Sequence, residues 1–309
     1  MKKIGILLIM SLLLLVSCNG QSNDVIKIQP FIGGTQGVVL EFDQLRTEVN
    51  DGGGDPFDVV VKLKNNGETS INKDDVTVKL KGIQPQQFGK SDDQFVLHPE
   101  ENINDRTMLD DGSVIDSSPV FVEFKELNHI TKIQGSVVSL PLVAEVCYLY
   151  KTEAVTKSCI REDLLNPKEG GLCLVNEAKP VQNSGSLVHI QNVKQGPQGS
   201  DKLRISFDII HVGEGNLYEK NSDCEGDRKQ NKVYVSIDSG IPGLRCTGLT
   251  DLSGTSVGGT VTLYDNKKTI SCTQTVDSLK DYEKPINIVL NYDYANSVKA
   301  EINVKHVGD

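Results

Sequence analysis

One stretch of this chain occurs twice. Phe57-Asp-Val-Val-Val-Lys-Leu-Lys-Asn-Asn-Gly-Glu68 aligns without a gap on Leu203-Arg-Ile-Ser-Phe-Asp-Ile-Ile-His-Val-Gly-Glu214, 146 residues further on. Apolar residues hold every second position, with Phe57, Val59, Val61 and Leu63 falling on Leu203, Ile205, Phe207 and Ile209. A period of two puts them on one face of a strand. Farther along, Tyr148-Leu-Tyr150 aligns on Tyr292-Asp-Tyr294 at an offset of 144. Two matches in the same order at nearly one offset imply two tandem copies of one β domain, and 309 residues are enough for both. Short alternating or β-branched runs fill each copy, at 37–42, 57–64, 76–80, 120–124 and 138–150, then at 187–193, 203–211, 233–238, 244–246, 261–264, 269–273, 286–294 and 298–307. No segment carries a sustained 3.6-residue apolar stripe, so helices are at most short connectors. With 38% apolar residues, 28 glycines and no tryptophan, a membrane bundle and a helix-rich enzyme are both poor fits.

The N-terminus has its own logic. Met1-Lys2-Lys3 precedes an apolar run from Ile4 to Val16, too short for the ~20 helical residues that a bilayer core requires. A basic start followed by such a run reads as an export signal. Its end, Leu15-Val16-Ser17-Cys18, resembles the lipobox of prokaryotic lipoproteins, where a small residue precedes a cysteine whose sulfur takes a diacylglycerol. The expectation is a signal peptide over 1–17 and a tether over 18–25 lipidated on Cys18, which holds the protein on the extracytoplasmic face of a cell-surface membrane. The formal net charge is −10, and the signal removes two lysines more. So acidic a chain lacks the clustered cations that nucleic acid requires.

Setting Cys18 aside leaves six cysteines, an even number in an exported chain, as expected for disulfides. A hairpin centred near Glu153 would set Cys147 opposite Cys159. Spacing alone does not separate the pairings of the other four. Cys246 and Cys272 both lie in β-like runs, whereas Cys173 and Cys224 both lie in Gly/Asn/Asp-rich loops, which favours Cys246–Cys272 and Cys173–Cys224. No Cys-x-x-Cys or adjacent histidine suggests zinc.

Residues 161–184 collect Pro, Gly, Asn and Glu and read as a linker between a first domain over 26–160 and a second over 185–309. The strand ending in Asn-Asn-Gly-Glu, followed by Val76-Thr-Val-Lys-Leu80, resembles the B and C strands of the cell-adhesion-related domain, an immunoglobulin-like sandwich common on archaeal and bacterial surface proteins. The segment 147–160, together with Ile32-Gly-Gly-Thr-Gln-Gly37 and Pro56-Phe57, is similar to a group of surface lipoproteins of small-genome, DPANN-type archaea. The resemblance implies an all-β chain of two tandem immunoglobulin-like β-sandwich domains after a lipoprotein signal peptide, and it brings no activity. Asn291 stands where the first copy has Cys147, so the second copy's final hairpin must hold by pairing alone. Tyr148 or Tyr150, and Tyr292 or Tyr294, occupy positions where a sandwich can tie a corner through a hydroxyl.

Catalytic patterns are absent from the linear sequence. Gly254-Thr-Ser256-Val-Gly258 fits G-x-S-x-G, but a β-like run follows where a nucleophile elbow needs a helix. His98, His129, His189, His211 and His306 are scattered, and no phosphate loop or dinucleotide fingerprint occurs, so no cofactor is expected. Asp51 with Asp55, and Asp110, Asp111 and Asp116, are the candidate calcium ligands, although neither stretch carries a full ligand ladder. The acidic stretch Ile83 to Asp116 reads as a long loop with one short strand near Phe95-Leu97. It has no counterpart of similar composition in the second copy, which makes it the candidate surface for a basic partner or a divalent ion. These readings converge on a non-enzymatic adhesion, envelope-scaffold or partner-binding lipoprotein, whose expected partners are the membrane, through the lipid anchor, and a surface protein or envelope component. A solute-binding lipoprotein would call for α/β lobes, and an envelope enzyme would call for a pocket that linear spacing does not reveal. The sequence does not set the oligomeric state.

Overall fold

The computed structural model describes residues 29–277 and 280–308; Cys18 and the expected signal and tether lie outside them. Among the described residues there are twenty strands, short 3-10 turns and no α-helix. In chain order the strands are β1 (Val38–Asp43), β2 (Glu48–Asn50), β3 (Phe57–Asn65), β4 (Val76–Lys81), β5 (Val96–Leu97), β6 (Thr107–Met108), β7 (Val114–Ile115), β8 (Val120–Leu127), β9 (Val137–Ile160), β10 (Glu177–Ala178), β11 (Val181–Asn183), β12 (Val188–Pro197), β13 (Lys202–His211), β14 (Asn216–Tyr218), β15 (Lys232–Asp238), β16 (Leu244–Cys246), β17 (Asp251–Ser253), β18 (Ser256–Thr262), β19 (Lys267–Thr275) and β20 (Tyr282–Lys305).

The two halves of the chain repeat one pairing pattern. β3 lies between β1 and β8, and β13 lies between β12 and β19. In the other layer β4 pairs with β9 and β15 with β20, all antiparallel. The alternation read in the repeated stretch is an inner face: Phe57, Val59, Val61 and Leu63 are buried on β3, as are Leu203, Ile205, Phe207 and Ile209 on β13. Residues of both layers, such as Val61 and Val78, or Phe207 and Val235, share one core that runs through both halves. Two facing sheets that bury alternate residues give a sandwich-like arrangement.

The last strands depart from expectation. The sequence predicts hairpins near Glu153 and between 294 and 298, but β9 and β20 each run unbroken for 24 residues and pair antiparallel over their whole length, from Val137 opposite Lys305 to Ile160 opposite Tyr282. Each strand satisfies the other's backbone groups, so neither needs to turn back on itself. The pairing fuses both halves into one ten-stranded sheet, whose main path is β17-β18-β15-β20-β9-β4-β5. It also carries each final strand into the opposite half. Val298, Ala300, Ile302 and Val304 stand opposite Ala144, Leu142, Leu140 and Val138 at the first half's inner face, where Leu142, Ala144, Ile302 and Val304 are buried. Ala154 and Thr156 of β9 stand opposite Ile288 and Ile286, and Thr156 packs with Ile205, Phe207 and Ile237 in the second half.

The expected linker is therefore not a free connection. Within 161–184, Leu164 and Val175 are buried, β10 pairs with β12, and β11 pairs with β9. Arg161 is buried: Nη1 donates to Cys173 O at 3.0 Å and Nη2 to Lys168 O at 2.8 Å. Its Nε sits 2.7 Å from Asp281 Oδ2 without pointing its hydrogen along the contact, so that contact is an ion pair and not an aligned hydrogen bond.

The cysteine pairing differs in the same way. The bonds are Cys147–Cys224, Cys159–Cys173 and Cys246–Cys272. The first two correct the predicted Cys147–Cys159 and Cys173–Cys224; the third is as predicted. On one continuous strand Cys147 and Cys159 stand roughly 40 Å apart, whereas bridged Cα atoms must lie within about 7 Å. Cys147 instead takes Cys224 from the second half, and Cys159 closes on the stretch that had looked like a linker.

At the middle of the joined strands Tyr148 faces Tyr294 and Tyr150 faces Tyr292. All four are buried and in ring contact. Tyr150 OH donates to Asn65 Oδ1 at 3.2 Å, and Tyr294 OH contacts His211 Nε2 at 3.2 Å; Asn65 and His211 are equivalent in the repeated stretch. Gly67 and Gly213 are equivalent too, and a Cβ at either would overlap the Tyr150 or the Tyr294 hydroxyl. Burial pushes the hydroxyls up, that of Tyr294 to about 12, so they remain protonated hydrogen-bonding groups.

Candidate functional site

Among the described residues no group of three or more His, Cys, Asp or Glu side chains is placed to hold a metal ion. The candidate calcium ligands are spread over separate contacts. Asp51 is buried and accepts from His306 Nδ1 at 2.7 Å, Ile133 N at 2.8 Å and Val307 N at 3.1 Å, and the His306 hydrogen bond holds its carboxyl down at about 2. Asp55 takes a two-point contact from Arg46 at 2.8 and 2.6 Å, which lowers its carboxyl. Asp111 accepts from the Ser113 amide and hydroxyl, Asp116 pairs with Arg106 Nε at 3.0 Å, and Asp110 sits at the exposed turn between β6 and β7. Asp51 thereby fastens the chain near Ile133 and the C-terminal residues His306 and Val307, whereas Asp55, Asp111 and Asp116 hold nearer segments.

The histidines stay apart. His98 Nδ1 lies 2.6 Å from Val76 O, His189 Nε2 lies 3.1 Å from Gly34 O, and the His129 ring is buried edge-on to Phe88. Burial pulls His189 and His211 below their usual value. Ser256 opens β18 in a tight hairpin with β17, with no helix behind it. Asp293 is buried beside Tyr292 and Tyr294; burial raises its carboxyl, against the amides of Asn221, Ser222 and Asp223 that donate to it at 2.6 to 3.0 Å. It thereby holds the loop that carries Cys224 against the joined strands.

The feature that distinguishes the halves is a strand edge. β3 and β13 align through the repeat, so their partners align as well: Val61 faces Val122 where Phe207 faces Ile270, and Val59 faces Phe124 where Ile205 faces Cys272. In the second half the outer edge of β19 is occupied. β16 pairs with it, with Cys246 directly opposite Cys272 and bonded to it. In the first half no strand pairs with the outer edge of β8 among the described residues. An open edge is a row of unpaired backbone donors and acceptors.

The stretch that leads into β8 packs elsewhere. The expected solvated loop Ile83 to Asp116 is packed: its 3-10 turns Pro85–Phe88 and Asp92–Phe95 bury Phe88 and Phe95, Ile103 bridges to Ile71, and β5 joins β4 in the other sheet. The short strand near Phe95-Leu97 is therefore present at β5, and a second small hairpin, β6–β7, follows. Between this segment and β8 runs a groove of about 400 Å³ with Leu97, His98 and Glu100 on one wall and Phe121, Glu123 and Lys125 on the other. It is continued by about 230 Å³ toward Lys90 and Gln94. Phe121 is 44% exposed, and Glu123 and Lys125 form an exposed ion pair at 3.2 Å. Sequence reasoning did not find β8 as an edge. The sequence carried no signal for it, because the equivalence of Phe124 with Cys272 lies at an offset of 148, outside the 146 and 144 of the repeat, and emerges only from the strand registers.

No family model matches the chain, and no curated protein matches it. Among solved structures, the envelope protein VP37 of White Spot Syndrome Virus matches with 9% identity and a TM-score of 0.25, over 47% of this chain and 97% of that one. The secreted serine protease VesC of Vibrio cholerae matches with 10% identity and a TM-score of 0.17, over 82% of this chain and 50% of that one. Scores so low carry no inference about this chain.

Proposed function

We propose that this chain is an extracytoplasmic lipoprotein, anchored through Cys18, that serves as a non-enzymatic binding or scaffold module of the cell envelope. In this reading its body is two immunoglobulin-like sandwiches locked together, and its recognition element is the free edge of β8. Three disulfides suit an oxidising compartment. Among the described residues no helix is long and apolar enough to cross a membrane, and the anchor in this reading rests on the lipobox residues Leu15-Val16-Ser17-Cys18. The observation that carries the proposal is the contrast between the halves: the second closes its equivalent edge with a disulfide-bonded strand, and the first leaves its edge open beside a groove. Partners dock on such edges by adding a strand, with main-chain hydrogen bonds giving affinity and alternate side chains giving specificity.

A photo-crosslinking residue at Phe121 in the full lipoprotein, expressed in its own envelope, tests this. Adducts at Phe121 that are absent from the same residue at Thr273, beside β16, support the proposal; equal labelling at both, or none at either, contradicts it. The anchor is tested by Cys18→Ala, which should move the protein from the membrane to the soluble fraction.

A further inference from the structure

The strand that adds to β8 can be identified more closely. We infer that it is β8 of a second copy of this chain, paired antiparallel about a two-fold axis through Phe124. The inference rests on β8 being a docking edge. Its outward face reads Phe121, Glu123, Lys125, and the two charges flank Phe124 symmetrically with opposite sign. In an antiparallel pair centred on Phe124, Glu123 of each copy stands opposite Lys125 of the other. Two cross-strand ion pairs form from one strand's own sequence, and directly opposed unlike charges favour such pairing. Moving the centre by one residue, to Glu123 or to Lys125, shifts the register by two and keeps the inner and outer faces matched, but it puts like charges face to face. The charges thus select one register.

Two further observations support it. The backbone at Phe124 is equivalent to that at Cys272, and there the second half already accepts an added antiparallel strand directly opposite, so this level of the sheet admits one. The chain also joins its own halves by antiparallel pairing of equivalent strands, β9 with β20, with like residues Tyr148 and Tyr294 opposite one another. The proposed contact would repeat that mode between molecules.

Charge exchange provides the test, measured by sedimentation on the mature chain carrying Cys18→Ser so that no lipid is attached. The wild-type strand should give a concentration-dependent dimer. Glu123→Lys places lysines opposite lysines and should weaken dimerisation about tenfold or more; Lys125→Glu should do the same with carboxylates. Both positions are exposed, so circular dichroism should show the fold unchanged. An equimolar mixture of the two variants should form a heterodimer, and the double exchange Glu123→Lys with Lys125→Glu should restore the homodimer. A monomer at all concentrations, or a dimer indifferent to these substitutions, overturns the inference. If the protein is monomeric yet Phe121 still crosslinks to another envelope protein, the second copy is the wrong occupant and the docking edge stands; if neither is seen, both fail.

Discussion

Replacing Ile302 by alanine should destabilise the half of the molecule to which Ile302 does not belong by sequence. Ile302 is fully buried near the end of β20, opposite Leu140 of β9 and at the first half's inner face. Truncating a buried isoleucine in a close-packed core costs about 2–5 kcal/mol, and the upper part of that range applies where strands on both sides prevent collapse into the cavity. Because β9 and β20 are paired over their full lengths and share one core with both halves, the loss should be felt globally. Hydrogen exchange followed by mass spectrometry in increasing urea can resolve this peptide by peptide. Peptides covering 57–65 and 120–127 should lose as much protection as those covering 203–211 and 267–275. If the first-half peptides are unchanged while 282–305 loosens, the halves are independent and the exchanged-strand description is wrong.

Other outcomes follow from individual contacts. Removing the Cys147–Cys224 bond by a double serine substitution opens a closure of 77 residues and should cost up to about 4.5 kcal/mol by loop-closure entropy, read from urea midpoints. Tyr150→Phe removes the hydroxyl bond to Asn65 and should cost about 1–2 kcal/mol in the same assay. Asp51 has a folded-state carboxyl at about 2, below its ordinary 3.8, so its stabilisation is complete above the ordinary value and is lost as pH falls toward 2. Melting temperature should therefore drop across that window, and Asp51→Asn should flatten the drop; an unchanged slope would remove Asp51 from the account. Replacing 89–111 by a Gly/Ser linker should lower stability by several kcal/mol through loss of buried Phe95 and Ile103, whereas a neutral result would mean that they do not pack as described.

What could be read from the sequence was local. Alternation marked β3, β13, β15 and β16 closely, because a half-buried strand writes its inner face into every second residue. The repeated stretch corresponds to the repeated pairing pattern, and Cys246–Cys272 was legible because its two runs are neighbouring strands. The course of β9 and β20 was not legible. Residues 151–158 and 295–297 contain turn-compatible residues, and whether such a segment turns or continues depends on a partner about 140 residues away. The two misassigned disulfides follow from that one error. Likewise, nothing local in Ile83 to Asp116 says that Phe88, Phe95 and Ile103 find a core, or that β5 joins the far sheet and leaves β8 uncovered. The acidic residues looked like an ion site because composition records charge and not the donors that meet it; Arg46, Ser113, Arg106 and His306 supply those donors.

The open edge of β8 is the claim on which the functional reading depends, and residue-resolved amide exchange on the intact protein, dilute enough to be monomeric, tests it most directly. Along 120–125 only alternate amides face β3, so protection should alternate, with every second amide exchanging as a solvent-exposed group. Along 271–274, where β13 and β16 flank β19, protection should be continuous. Continuous protection through 120–125 would mean that the edge is already covered, and the docking account would be contradicted.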